Sequence, residues 1–312
     1  MKFDVRRILR SYGILIAFVA ICIAMSILSP VFFTVTNIRN VIRQSSIYGI
    51  MAIGMTFVIL TGGIDLSVGS ILAIAGALAA GAVKSGMGLE FVVLIALGIG
   101  LGCGLVNGVL VTIGRITPFV VTLGMMSIAR GLTLIYTKGY PISGFPVPFR
   151  FLGGGDIVAI PFPIIVFILT VVVAWLVLTQ TRVGRYTYAI GGNEETVKLS
   201  GINSDFYKTI VYMIAGITSA ISALILTSRL NSAEPVAGQG YELDVIAAVV
   251  IGGTSLMGGR GSVWGTLVGA LMIGVINNGM NLLGISAYFQ LVVKGVIIIG
   301  AVLLDRLHQD QQ

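Results

Sequence analysis

The sequence predicts an all-α polytopic membrane protein of about ten transmembrane helices, some broken or re-entrant, with a weak internal repeat. Three observations carry that prediction. Apolar residues make up 56% of the 312 residues and charged residues 10%, where soluble domains carry about 25% charge. The apolar residues fall in runs long enough to cross a bilayer rather than in short alternating patterns. Glycine is abundant, at 42 residues, as suits helices that pack backbone to backbone in lipid. The whole chain, 1–312, reads as one transmembrane domain.

The predicted spans lie near 12–30, 45–61, 66–84, 91–113, 118–136, 162–180, 207–228, 244–257, 263–281 and 287–305. Met1 to Arg10 carries Lys2, Arg6, Arg7 and Arg10, and an apolar run from Tyr12 to Leu28 follows. That run is long for a signal-peptide core and no A-x-A site follows it, so it is expected to be a retained first span. Segment 31–44 is polar on one side and extends the second helix. The eighth span is short, as a tilted or broken helix would be.

Between the second and third spans stands Gly62-Gly-Ile-Asp-Leu-Ser-Val-Gly-Ser70, with Asp65 and Ser67 inside otherwise apolar sequence. A charged Asp at the centre of a membrane helix costs about 2.5–3.5 kcal/mol on insertion scales. Two readings stay open. One is a polar elbow between two short helices, as transporters use; the other is a turn between two full spans. Asp65 pairs with a basic group, caps the third helix or touches the pathway. In the fourth span Gly100, Gly104 and Gly108 form a small-residue ridge, read as packing only. Arg130 in the fifth span is expected to snorkel to the membrane edge.

Residues 181–208 form a polar loop. Asn193 can cap a short helix with Glu194 and Glu195 in its first turn. Ser200-Gly201 suits a left-handed stop. A capped helix of about two turns lying across a membrane face is a docking knob or a solvated linker. Further on, Gly252-Gly-Thr-Ser-Leu-Met-Gly-Gly-Arg-Gly-Ser262 echoes the first glycine motif, again between apolar spans. Such repeats build central pathways in many transporters.

Amides within the spans are pathway candidates: Asn107 in the fourth, and Asn277, Asn278 and Asn281 in the ninth. Positions 277 and 281 share a helical face. Amides donate and accept without charge, which suits a neutral polyol. Each is equally a candidate for interhelical glue.

The charges set an orientation. Lys2, Arg6, Arg7, Arg10, Arg115, Arg182, Arg185, Lys198, Lys208, Arg260 and Arg306 fall on one side. Arg39, Arg43, Lys84, Lys138, Arg150 and Arg229 fall on the other, and Arg130 and Lys294 lie within spans. Positive residues favour the cytoplasm, so both termini are expected inside. The net charge of +7 therefore marks topology and not nucleic-acid binding.

Several functions lose support. There is no G-x-x-x-x-G-K-[ST] phosphate loop for ATP hydrolysis and no H-E-x-x-H. The stretch 98–108 does not fit G-x-G-x-x-G. One His (His308) and two separated Cys (Cys22, Cys103) make a zinc site or disulfide unsupported, and the cysteines read as packing residues. Asp65 and Asp244 alone are too few intramembrane carboxylates for an obvious proton relay. No base–nucleophile pair is visible, so neither an enzyme nor a bound cofactor is expected.

From about residue 28 to 306 the chain resembles the permease subunits of bacterial ATP-binding-cassette sugar importers, in the ribose-type branch. The resemblance rests on Met51–Ser70, Arg185–Glu194 with Leu199–Ile202, Gly240–Leu256 and Asn277–Ile285. It implies two permease copies around a pathway and ATPase subunits that hold the ATP. A binding protein delivers a sugar such as ribose, and the setting is the bacterial cytoplasmic (inner) membrane. The family's coupling segment maps onto Gly191, Gly192, Asn193, Glu194, Glu195, Ser200 and Gly201. The outer segments Phe145–Phe149 and Gly153–Gly155 become a surface for the binding protein. A secondary sugar carrier without an ATPase partner is the alternative; a membrane enzyme or scaffold is a weaker one.

Overall fold

The computed structural model describes residues 5–309. Lys2 lies outside the described residues, as do the side chains of Arg6, Arg7, Arg10, Arg306 and His308. The chain is helical nearly throughout. The helices are α1 (Val5–Leu28), α2 (Val35–Leu60), α3 (Val68–Lys84), α4 (Leu89–Thr112), α5 (Pro118–Thr137), α6 (Val147–Gly154), α7 (Phe162–Gln180), α8 (Arg182–Leu199), α9 (Ser204–Leu230), α10 (Tyr241–Ile251), α11 (Val263–Leu282) and α12 (Ala287–Gln309). Four two-residue strands make two antiparallel pairs. β1 (Ile142–Ser143) pairs with β4 (Ser232–Ala233), and β2 (Asp156–Ile157) with β3 (Ile160–Pro161).

Each predicted span meets a helix. Among the described residues six helices (α2, α4, α5, α7, α9 and α11) are long and apolar enough to cross a membrane. α1, α3 and α12 hold shorter apolar stretches, and α10 has 11 residues. The second helix does extend through the polar segment. Thr34 Oγ1 accepts from Asn37 N and starts α2 at Val35, ten residues ahead of the apolar run.

α2 sits at the centre. Its residues from Ser45 to Leu60 are all buried, so it carries no polar face, as a helix surrounded by others should not. α9, α11, α7 and α10 pack around it, with α4 behind α9. α4 and α9 meet along glycine. A Cβ on Gly100, Gly104 or Gly108 would collide with the backbone of Gly216, Tyr212 or Thr209. The ridge is a packing device, as expected. α5, α7 and α12 turn apolar side chains such as Ile135, Leu169 and Val292 outward.

The two ends of the bundle differ. At one end Arg39 and Arg43 both grip Asp156 at 2.7 Å, and Lys84 donates to Gly144 O. There α6 packs on α9, with Ser228 Oγ donating to Phe149 O and accepting from Gly153 N. This outer segment is thus a folded cap. The opposite end gathers α8, Arg115, Lys198 and Lys208. Among the described residues, Arg115, Lys198 and Lys208 thus lie at one end and Arg39, Arg43 and Lys84 at the other.

Candidate coupling and translocation site

The glycine-rich segment after α2 turns the chain with Gly62 exposed and Gly63, Asp65 and Ser67 buried. Gly62 takes φ +75, which reverses the chain without a side-chain penalty. Asp65 and Ser67 are fully buried. Asp65 Oδ1 accepts from Ser67 N at 2.8 Å and from Ser67 Oγ at 2.5 Å. The carboxylate holds Ser67, the residue just ahead of α3, and bonds to no N–H within that helix. It stands near the start of α3, where the helix dipole favours negative charge. Asn107 Nδ2 on α4 donates to Ser67 Oγ at 2.9 Å, and Thr122 Oγ1 on α5 reaches Ile64 O at 3.3 Å. Asp65 Oδ2, Asn107 Oδ1 and Tyr212 Oη are buried without a protein partner.

The polar loop 181–208 is helical along most of its length, which corrects the expectation of one short helix. Sequence reasoning missed the first half, Arg182–Gly192, because two adjacent glycines there argue against helix. At Asn193 the backbone is extended (φ −162, ψ 101) and breaks α8 in two. Asn193 Oδ1 then accepts from Thr196 N at 2.9 Å, so it caps the second half as predicted. Gly201 takes φ +77; its N donates to Lys198 O and Ile202 N to Val197 O. That is the expected left-handed stop, and Ser200 caps ahead of it.

Glu194 turns inward. Its oxygens contact Lys198 Nζ at 2.8 Å and Lys208 Nζ on α9 at 3.0 Å, and Ser204 Oγ donates to it at 3.2 Å. Burial acts to raise the Glu194 pKa, but the hydrogen bonds and charges of both lysines outweigh it and lower it to about 2. Glu194 braces α8 on α9, while Glu195 and Leu199 face outward. A cavity of about 240 Å³ opens beside this brace, between the α4–α5 turn at Arg115 and the second half of α8.

The amide candidates divide. Asn278 and Asn37 exchange two amide hydrogen bonds at 3.0 and 2.9 Å, buried between α11 and α2. Asn281 is exposed and accepts from Gln290 Nε2 near the start of α12. Asn107 is tied to Ser67. Asn277 is buried with its Nδ2 unpaired beside Asp244 Oδ1, also unpaired.

Arg130 does not snorkel to an edge. Its guanidinium donates to Pro235 O at 2.9 Å and Ala237 O at 2.8 Å, holding the loop that brings Gly238 against Gly69 of α3. Sequence reasoning also left Asp244 and Lys294 unpaired, whereas they contact at 2.8 Å. The available signal was the pair of isolated opposite charges, which lipid forces together.

The comparisons agree with this architecture. Residues 37–302 match the family described as branched-chain amino acid transport system, permease component. The chain is 50% identical over 301 residues to the ribose import permease protein RbsC of Bacillus subtilis (strain 168), covering 96% of this chain and 94% of that one. It is 48% identical over 299 residues to the ribose import permease protein RbsC of Escherichia coli (strain K12), covering 95% and 93%. The D-allose transport system permease protein AlsC of the same strain is 39% identical over 298 residues, covering 95% and 91%. No solved structure matches the chain.

Proposed function

The chain belongs to the permease-component family of branched-chain amino acid transport systems, and on that footing we propose that it is the membrane permease subunit of an ATP-driven importer whose cargo is ribose. The observation that carries the reading is the 50% identity to a ribose import permease along nearly the whole of both chains. The family's description names amino acids, but the ribose and D-allose permeases match this chain along nearly the whole of both chains. D-allose and L-arabinose permeases stand further off, at 39% and 38%, which favours ribose among the sugars.

The family resemblance and the placement of α8 and α6 at opposite ends of the bundle support the following assembly. α8 sits at the end rich in Arg and Lys, which the positive-inside rule assigns to the cytoplasm. Its second half presents Leu199 and Glu195 to an ATPase subunit, which binds and hydrolyses the ATP. The capped end with α6 faces the sugar-binding protein. Ten helices enter or cross the bacterial inner membrane, with both termini in the cytoplasm, and the chain acts as one transmembrane domain. Asn37, Asn107 and Asn278 are spent on contacts within one protomer; a sugar pathway between two copies is what the family resemblance implies. Asn277, with an unpaired amide, and the exposed Asn281 are the candidates that remain for lining it.

Proteoliposomes containing this chain and its ATPase subunit, with the binding protein outside, test the reading. ATP-dependent uptake of labelled ribose that needs all three components supports it. Uptake of another sugar under the same requirements corrects the cargo. ATP-independent uptake by this chain alone overturns the assembly in favour of a secondary carrier.

A further inference from the structure

We infer that Gly191, Gly258 and Gly259 are positioning residues that seat α8 directly on the two glycine elbows, so that one movement of α8 is delivered to both. The inference rests on the coupling reading of α8 above. The two elbows that echo each other in sequence touch in space. Gly259 N, in the segment between α10 and α11, donates to Leu60 O at the end of α2 at 2.9 Å. A Cβ on Gly258 would lie 2.9 Å from Gly62 N and 3.0 Å from Leu60 O.

α8 rests on that meeting point. A Cβ on Gly191 would collide with Leu60 O and Gly259 N. A Cβ on Gly258 would stand 3.0 Å from Gly191 Cα, and one on Gly259 3.0 Å from Gly192 N. Three backbones therefore meet with no side chain between them, and Gly258 and Gly259 turn there with φ +87 and +72. One turn earlier on α8, Tyr188 Oη donates to Gly261 O at 2.9 Å. This is a second tie to the same elbow.

Backbone-to-backbone contact leaves no rotamer to absorb a displacement, and close-packed interiors transmit strain. α8 breaks at Asn193, just beyond the contact. Its second half faces the partner side and is braced on α9 by Glu194, while its first half bears on the elbows. One elbow leads into α3 and is held to α4 and α5 through Ser67 and Ile64. The other leads into α11. Force on α8 thus reaches both helix–elbow–helix units at one point.

The test uses the complete importer reconstituted with its ATPase subunit and binding protein. Gly191→Ala is expected to lower ribose uptake, and the ratio of hydrolysis with and without loaded binding protein, by about tenfold or more, since overpacking against fixed backbone is poorly tolerated. The ATPase subunit should still co-purify. Gly102→Ala on α4, where a Cβ meets nothing within 4 Å, controls for a generic glycine effect and should behave as wild type. Uptake by Gly191→Ala within about twofold of wild type overturns the inference, since an overpacked seat should cost more. If Gly191→Ala does not accumulate, Tyr188→Phe decides. Loss of one hydrogen bond should lower the hydrolysis ratio about threefold with assembly intact, and an unchanged ratio overturns the inference. Failure of the wild-type assembly to take up any sugar with ATP would instead sink the importer reading itself.

Discussion

Asp244 on α10 contacts Lys294 on α12 at 2.8 Å, with the carboxylate fully buried and the lysine side chain 18% exposed. α10 is the shortest of the apolar helices, and α12 lies outside it with apolar side chains turned outward. The ion pair is a polar fastening between them. Lys294→Met leaves the carboxylate buried without its cation, a change that costs about 3–5 kcal/mol. The expected result is a clear fall in the Tm of the detergent-purified protein, with recovery in Asp244→Asn/Lys294→Met. An unchanged Tm for Lys294→Met would show that the pair contributes nothing.

Glu194 ties the second half of α8 to α9, and its pKa is lowered from 4.5 to about 2. A carboxylate with a depressed folded pKa stabilises the fold above its unfolded pKa and loses that contribution as pH falls through the folded value. The brace is therefore complete above about pH 4.5 and lost only as pH falls toward about 2. Hydrogen exchange of residues 194–199 should be flat from pH 5 to 8 once corrected for intrinsic rates. Glu194→Gln should raise it across that whole range, because the two lysines lose their counter-charge. A pH-dependent rise in wild type within that window would contradict the assignment.

What could be read in advance was local. Apolar runs located the helices, and Asn193 and Gly201 announced a cap and a stop because those functions depend on neighbours within four residues. The basic side chains sorted by end for a similarly simple reason. Partners far along the chain were invisible. Asn278 meets Asn37 across 241 positions, and no spacing rule chooses between that contact and a pathway lining. Arg130 was misjudged because its carbonyl partners belong to an irregular loop with no pattern of its own. The two glycine motifs were visible as an echo, but their contact, and the seating of Gly191 on it, depend on three backbones converging.

Asp65 holds Ser67, just ahead of α3, using one oxygen. Asparagine keeps that acceptor and alanine removes it. Asp65→Ala should destabilise the protein by about 1–3 kcal/mol, the range for leaving buried donors without their acceptor, and Asp65→Asn by less. Thermal unfolding of both variants separates them. Asp65→Asn that folds like wild type yet transports no sugar would move Asp65 from the scaffold to the transport step.

The reciprocal amide pair of Asn37 and Asn278 makes the sharpest distinction between glue and pathway. Each side chain donates to the other and accepts from it, buried between α2 and α11. Asn37 Nδ2 also donates to Phe32 O. Replacing one amide with Leu strands the other, whose buried polar atoms lose their partner. Replacing both removes the polar demand of the pair on both helices while leaving apolar packing in place. Asn278→Leu should therefore lower stability more than Asn37→Leu/Asn278→Leu does relative to the single Asn37→Leu variant. The coupling energy should be about 0.6–2 kcal/mol, the range for interhelical hydrogen bonds in membranes. Ribose uptake per folded molecule should survive in the double variant, because the two amides are occupied by each other. Asn277→Leu, one residue away, is expected to do the opposite, slowing uptake with assembly retained. A double-mutant cycle read alongside uptake decides it: zero coupling with lost uptake at Asn278 would place that amide in the pathway and not between helices.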